Sequence, residues 1–144
     1  MNKQFFITIA DHIKISVPEI RWIDADDQQL SSSDRPPLAW PACLIDISYP
    51  RCETLMGGRQ KIHARVELRV AFEAIQGRTN ATAPIEVREK AMQRLDVLEH
   101  VHRALQWYDG DGIFNPMRRT SSTPEHRSDG LKVYKVIYET EFFD

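Results

Sequence analysis

The side chains with the most chemical capacity here are two acidic clusters, a histidine pair, a glycine-lysine turn, a serine run and a scatter of arginines. Each chemistry needs a spacing, and the spacings fail. Asp24-Ala25-Asp26-Asp27 begins like a calcium loop, but Gln29 and Arg35 stand where that loop needs its glycine and its bidentate glutamate. Asp109-Gly110-Asp111-Gly112 fails likewise, with Thr120 in the glutamate position. Both read as turns. His100 and His102 lie two apart, about 200° around a helix, so they cannot share an ion as an i, i+4 pair would, and one or both read as solvated. Gly57-Gly58-Arg59-Gln60-Lys61 lacks the phosphate-loop spacing and precedes a strand rather than a helix, so it reads as a hairpin tip. Ser31-Ser32-Ser33 has no histidine base in evident reach, and no GxSxG elbow occurs. Cys43 and Cys52 are too few for a disulfide scaffold or a cysteine zinc site and read as free thiols, with a bridge across the turn as the alternative. The expectation is a protein with no catalytic residue, no metal and no cofactor, and hence not an enzyme.

What remains is contact chemistry. The candidate partner-interface residues are Arg51, Arg59, Lys61, Arg65, Arg69, Arg118, Arg119 and Arg127, with residues 50–61 and 109–130 as the contact segments. Arg65, Glu67 and Arg69 alternate in sign along one strand face, which serves either solubility or subunit contact with a fixed register. Segment 109–130 carries Arg118-Arg119 and His126-Arg127 beside Asp109, Asp111, Glu125 and Asp129. It is either a solvated loop or a patch facing an acidic partner or DNA. Trp40 and Trp107-Tyr108 are core or interface anchors.

The bulk numbers agree with a contact protein. The 144 residues carry a net charge of −2, with 42% apolar and 28% charged residues, which suits a soluble globular chain rather than a dedicated nucleic-acid or membrane-surface binder. One domain, 1–144, with a core of its own is expected. The run Phe5 to Ala10 is short and stopped by Asp11, so it does not read as a signal peptide, and no stretch approaches a membrane span. Asn80-Ala81-Thr82 reads as a loop capping a helix. The expected setting is the inside of a cell, or a particle assembled there.

The elements that position these groups follow from periodicity. Phe5, Phe6, Ile9 and Ile13 form one stripe of a helix over 3–14, ended at Ser16-Val17-Pro18. A short strand over 20–23 precedes a polar loop, 24–37. Ala42 to Tyr49 is a strand, and Leu44, out of phase with Cys43 and Ile45, puts cover on both faces. Pro50 and Gly57-Gly58 bracket a loose connection. From 61 to 73 the positions Ile62, Ala64, Val66, Leu68, Val70 and Phe72 alternate with polar ones, giving a strand of about 40 Å. It either crosses a whole sheet or extends beyond the domain as a hairpin arm. A helix over 84–108, about 37 Å long, places Val87, Ala91, Leu95, Leu98, Val101 and Leu105 on its apolar face and matches that strand, so it covers it. Gly110 and Gly112 end it. A second polar loop, 109–130, contains Ile113-Phe114 as an anchor or short strand, and a terminal strand spans 131–143. In that strand Leu131, Val133 and Ile137 run against the phase of Tyr134 to Phe142, through two covered faces or a bulge. The fold class is α+β: an antiparallel or mixed sheet of about four strands with a long β-hairpin, packed against one long helix and an N-terminal helix.

This layout resembles the phage tail terminator proteins, the lambda-type minor tail protein family with its prophage relatives. The stretches that carry the resemblance are IRWID, PACLIDISYP, KIHARVELRVAFE, REKAMQRLDVLEHVHRAL and LKVYKVIYETEFFD. The resemblance implies an α+β subunit of a hexameric ring that stops tail-tube growth and offers the surface the head joins. It implies as partners other copies of the chain, the tail tube protein and a head–tail connector protein, with passing contact to DNA and none with a membrane. It implies assembly in the bacterial host cytoplasm and residence in the virion tail, and it supplies no catalytic residue. The rival expectations are another head–tail connector or neck protein, and a small α+β enzyme or ligand-binding domain.

Overall fold

The computed structural model describes residues 2–31, 38–73 and 79–144. Along the chain run helix α1 (Asn2–Ser16), strands β1 (Trp22–Ala25), β2 (Ala42–Thr54) and β3 (Gln60–Phe72), helix α2 (Ile85–Leu105), and strands β4 (Arg118–Glu125) and β5 (Lys132–Phe143). The strands form one sheet in the order β1-β2-β3-β5-β4, with β1 parallel to β2 and every other pair antiparallel. The fold is α+β with a mixed sheet, as expected, but of five strands rather than about four.

The fifth strand is β4, inside the segment 109–130 that reads from sequence as a polar loop. Arg-Arg-Thr-Ser-Ser-Thr-Pro-Glu has no apolar alternation because both of its faces are largely exposed. Pairing with β5 makes it a strand, and its edge position tolerates Pro124, which has no N–H to offer a ladder. Its register shifts between Arg119 and Ser121. Ile113-Phe114 forms no strand; Phe114 is a buried anchor. The connection expected from Pro50 is also corrected. Strand β2 continues through Pro50 to Thr54, and a register shift between Ser48 and Arg51 absorbs the missing donor.

Strand β3 is the centre of the sheet. It pairs with β2 on one edge and with β5 on the other along nearly its whole length, so it is neither a diagonal nor a free arm. Ile62, Ala64, Val66, Leu68, Val70 and Phe72 all face the main core, where they meet Phe5, Ile9 and Ile13 of α1 and Val97, Val101 and Leu105 of α2. Phe5 sits at the middle of an aromatic cluster, 5.1 Å from both Phe114 and Phe142 between ring centres. Helices α1 and α2 meet at His12, whose Nε2 lies 2.7 Å from the Ala104 carbonyl and whose ring stacks on Tyr108 at 3.6 Å.

The buried stripe of α2 differs from its expectation. Ala91, Val97, Val101 and Leu105 are buried, whereas Val87 and Leu95 stay exposed. At about 100° per residue Leu95 lies roughly 80° round from Leu105 and leaves the stripe, whereas Val87 is in line with Leu105 but sits in the first turn of the helix, where it stays partly uncovered. The helix also ends earlier than Tyr108. Trp107 takes a left-handed φ of 66°. Its N–H donates to the Met117 carbonyl at 2.7 Å, and Met117 N–H donates to Tyr108. Tertiary pairing, not the glycines, stops the helix.

A second, smaller core lies on the opposite face of the sheet, at one end. Leu30, Ala42, Leu44, Ala71 and Val133 are buried there beneath Leu38, Trp40 and Leu131. The out-of-phase Leu44 and Val133 thus reflect two covered faces, and the β3–β5 register is unbroken. Residues 32–37 of the first polar loop and 74–78 of the next lie outside the described residues. Asn80 forms a local turn, accepting from Thr82 N–H at 2.9 Å, and does not cap α2, whose N-cap is Pro84.

Phe5 and Ile15 lie on one helix at 0% and 80% exposure, so they calibrate the core. Phe5→Ala is expected to cost about 3–5 kcal/mol in urea unfolding, and Ile15→Ala less than about 0.5 kcal/mol.

Candidate functional site

The β3 ladder turns one row of side chains away from the helices: Lys61, His63, Arg65, Glu67 and Arg69. Neighbouring strands set charges beside them. Register places Glu53 and Glu139 opposite Lys61 and Arg65, and Lys135 opposite Arg69. The Glu53–Lys61 and Glu139–Arg65 pairs attract while Lys135 opposite Arg69 does not, and the result is a mesh of mixed sign rather than a purely basic patch. His63 lies 3.4 Å from Glu53 and 3.7 Å from Glu141. Arg118 donates to Glu141 at 2.6 Å, and Glu67 takes Arg65 and Lys135 each at 3.4 Å. Arg51 pairs with Glu53 and stays largely exposed. Hydrogen bonding from Arg118 holds the Glu141 carboxyl below its usual range.

At the hairpin end, Gly57 and Gly58 adopt φ of 79° and 80°, conformations that suit glycine. The turn lifts Met56 to 98% exposure, with Leu55 and Phe143 also exposed beside it. Arg59 lies over the Phe143 ring at 5.5 Å. Gln60 and Asp144 exchange backbone hydrogen bonds at 2.9 Å, so the tip stands on a three-stranded base.

The other end of the same face is closed by an ion cluster. Arg69 Nη2 donates to both oxygens of Glu125, at 2.9 and 2.7 Å, and Nη1 reaches Asp26 at 3.4 Å. Arg127 donates to Glu125 at 2.9 Å, to Asp129 at 2.6 Å and to the Leu30 carbonyl at 2.6 Å. Burial pushes the Glu125 carboxyl up, but hydrogen bonds from Arg69 and Arg127 outweigh it and hold the group below the ordinary glutamate range. Arg69 Nε is buried and meets no acceptor among the described residues. The cluster ties β3 to β4 and straps the segment around Leu30 over the smaller core.

The eight interface candidates therefore separate. Arg51, Arg59, Lys61, Arg65 and Arg118 gather on the charged face and hairpin end, and Arg119 is exposed on β4. Arg69 and Arg127, with side chains 10% and 14% exposed, meet carboxylates of their own chain. Sequence reasoning missed Asp26 and Glu125 as their partners; the one signal was Leu44, which sits opposite Arg69 and marks that end as covered. The two acidic clusters behave as turns: Asp26 accepts from Gln28 N–H, and Asp109 from Asp111 N–H, each at 3.0 Å. Of the two histidines, His100 is exposed, as expected for one or both, and His102 is half-buried. His100 pairs with Glu19, and His102 Nδ1 lies 2.9 Å from the Tyr138 hydroxyl. Cys43 is buried, which pushes its thiol up to about 12, and both cysteines are free.

Elsewhere, a cavity of about 730 Å³ opens between α2 and the end of β3. Trp40, Pro41, Phe72 and Val97 line its apolar part. Among the described residues no group of three or more His, Cys, Asp or Glu side chains is placed to hold a metal ion, and no helix is long and apolar enough to cross a membrane.

These features define an α+β protein with two helices on one side of a five-stranded sheet and a charge-laced face on the other. No protein-family model and no curated protein matches the chain. Among solved structures its fold is similar to that of a chain in the virion of a native gene transfer agent particle, with a TM-score of 0.54 over 94% of this chain and 84% of that one. The two are 10% identical, so the likeness is one of fold.

The ion cluster sets two expectations. Arg69→Met strands Asp26, and is expected to cost about 3 kcal/mol in urea unfolding, against less than about 1 kcal/mol for the exposed Arg51→Met. Because the folded Glu125 and Glu141 carboxyls titrate low, their stabilisation is complete above the ordinary carboxylate range and is lost as pH falls through their folded values. Melting temperature is therefore expected to hold on this account from pH 7 to about 5 and to drop below that, and Glu125→Gln is expected to make the drop shallower.

Proposed function

We propose that this chain is a structural protein of a phage or prophage tail: a tail terminator that closes the tail tube as an oligomeric ring, a hexamer, and presents the surface to which the head joins. It works by contact and not by catalysis. Its partners are further copies of itself, the tail tube protein and a head–tail connector protein, and DNA passes by the assembled ring. It assembles in the bacterial host cytoplasm and resides in the virion.

The observation that carries this reading is the fold likeness across 94% of the chain to a chain of a virion particle. The surface chemistry supports it. The mixed-sign mesh of Arg65, Glu67, Lys135, Glu139 and Glu141 attracts weakly but favours one register of a partner, because like charges set together repel. The hairpin end supplies what the mesh lacks: Met56, Leu55 and Phe143 are apolar groups on a rigid mount, and burying them against the tube gives the affinity. Arg51, Arg59 and Lys61 surround that tip and steer it.

In negative-stain images and light scattering, the purified chain mixed with tail-tube protein is expected to give rings capping short tubes. Only monomers and uncapped tubes at high concentration would overturn the reading. Met56→Asp is expected to leave the melting temperature within about 2 °C of the parent, since the side chain touches little, while reducing tube capping at least about tenfold.

A further inference from the structure

We propose that Trp107 of one copy of this chain seats in the α2–β3 cavity of a second copy, joining subunits head to tail. This rests on the reading of a self-assembling protein given above, and supplies the contact that reading leaves unassigned.

Trp107 combines two unfavourable features. It is 69% exposed, and it holds a φ of 66° that a bulky side chain rarely adopts. The other positive-φ positions are taken by five glycines and by the smaller polar residues Gln28 and Asp111, so Trp107 is the one bulky aromatic among them in the described residues. Within its own subunit the backbone of this turn is held by Met117, but the indole itself is left largely in solvent. Strained residues held by surrounding structure cluster where a protein makes functional contact. The mount is rigid: Trp107 and Tyr108 pair with Met117, and Arg119 N–H donates to the Gln106 side chain at 2.9 Å. An anchor fixed in advance loses little entropy on binding. Arg103, one helical turn earlier and 72% exposed, and Arg119 flank it. A tryptophan with arginines is the composition of an interface hot spot.

The cavity is the matching part. Its volume of about 730 Å³ exceeds what an indole needs, and Trp40, Phe72 and Val97 give it an apolar wall. Glu73 and Asp96 stand on its rim as partners for Arg103 and Arg119; Lys90 shares the rim, while Arg94 is turned to the Tyr134 hydroxyl at 2.9 Å. Trp107 cannot reach the cavity of its own subunit. The lining residues on α2 centre near Arg94, about 15 Å along the helix from its end at Leu105. The occupant is therefore another copy. Knob and socket are different patches, so the contact is heterologous, and repeated contacts close into a ring or run on as a filament.

Sedimentation velocity on the full chain and two variants tests this. The parent chain is expected to associate as concentration rises. Trp107→Gly removes the knob and relieves the backbone, so it is expected to sediment as a monomer with a melting temperature equal to or above the parent. Gln93→Trp blocks the socket at an exposed position and is expected to be monomeric also. Mixed in equal amounts, the two variants are expected to form a one-to-one dimer and nothing larger, because each retains one half of the contact. The proposal is overturned if Trp107→Gly assembles like the parent or melts lower, if the mixture stays monomeric, or if the parent itself does. Rings that persist with Trp107→Gly on tail tubes would remove this contact and leave the terminator reading standing; uncapped tubes with the parent chain would remove that reading.

Discussion

The pairing of β3 on both of its edges is the constraint from which the rest of the structure follows. A strand hydrogen-bonded on both sides has no free backbone, so only its two faces remain to be satisfied. Its strict alternation makes those faces opposite in character. The row from Ile62 to Phe72 needs apolar cover, and α1 and α2 supply it. In the row from Lys61 to Arg69, β2 and β5 bring carboxylates to Lys61, His63 and Arg65 through register, and Arg69 takes its own from Asp26 and Glu125. A one-residue slip of either neighbour would exchange the rows and lose both arrangements.

The end of the sheet near Arg69 shows how a charge is accommodated beneath cover. Leu30, Leu38 and Trp40 close over the sheet there, so the guanidinium loses water and must find partners. Asp26 and Glu125 come from either side of it, and Arg127 links Glu125 to Asp129 and to the Leu30 carbonyl. Such clusters contribute less to stability than their bond count implies, since desolvation offsets attraction. Their effect here is placement: the edge strand β4 and the segment around Leu30 each have one position that satisfies the cluster.

Local pattern carried much of this fold. The stripe Phe5, Ile9, Ile13 and the alternation in β3 each survive into the structure as burial, because a helix or strand with one apolar face has one way to hide it. The pattern failed where pairing overrides composition. Strand β4 has no periodicity of its own, and β2 passes through a proline. Leu95 belongs to an apolar row by count but lies outside the stripe that the sheet covers. Among the contact residues, arginine as a type was legible and its environment was not: Arg65 and Arg69 are four apart on one strand, yet one faces solvent and the other is enclosed.

The sequence by itself determined the α+β class, the central hairpin with its long second strand, and the failure of the metal and nucleotide spacings, since these depend on periods and intervals along the chain. Only the tertiary structure decided that β3 lies at the centre, that Arg69 and Arg127 are internal, and that Trp107 stands exposed in a left-handed conformation with a cavity beside the middle of the preceding helix. Those outcomes depend on which segments meet across forty or more intervening residues, as Arg69 meets Asp26. Burial and pairing are properties of that meeting, and no interval within the chain encodes them.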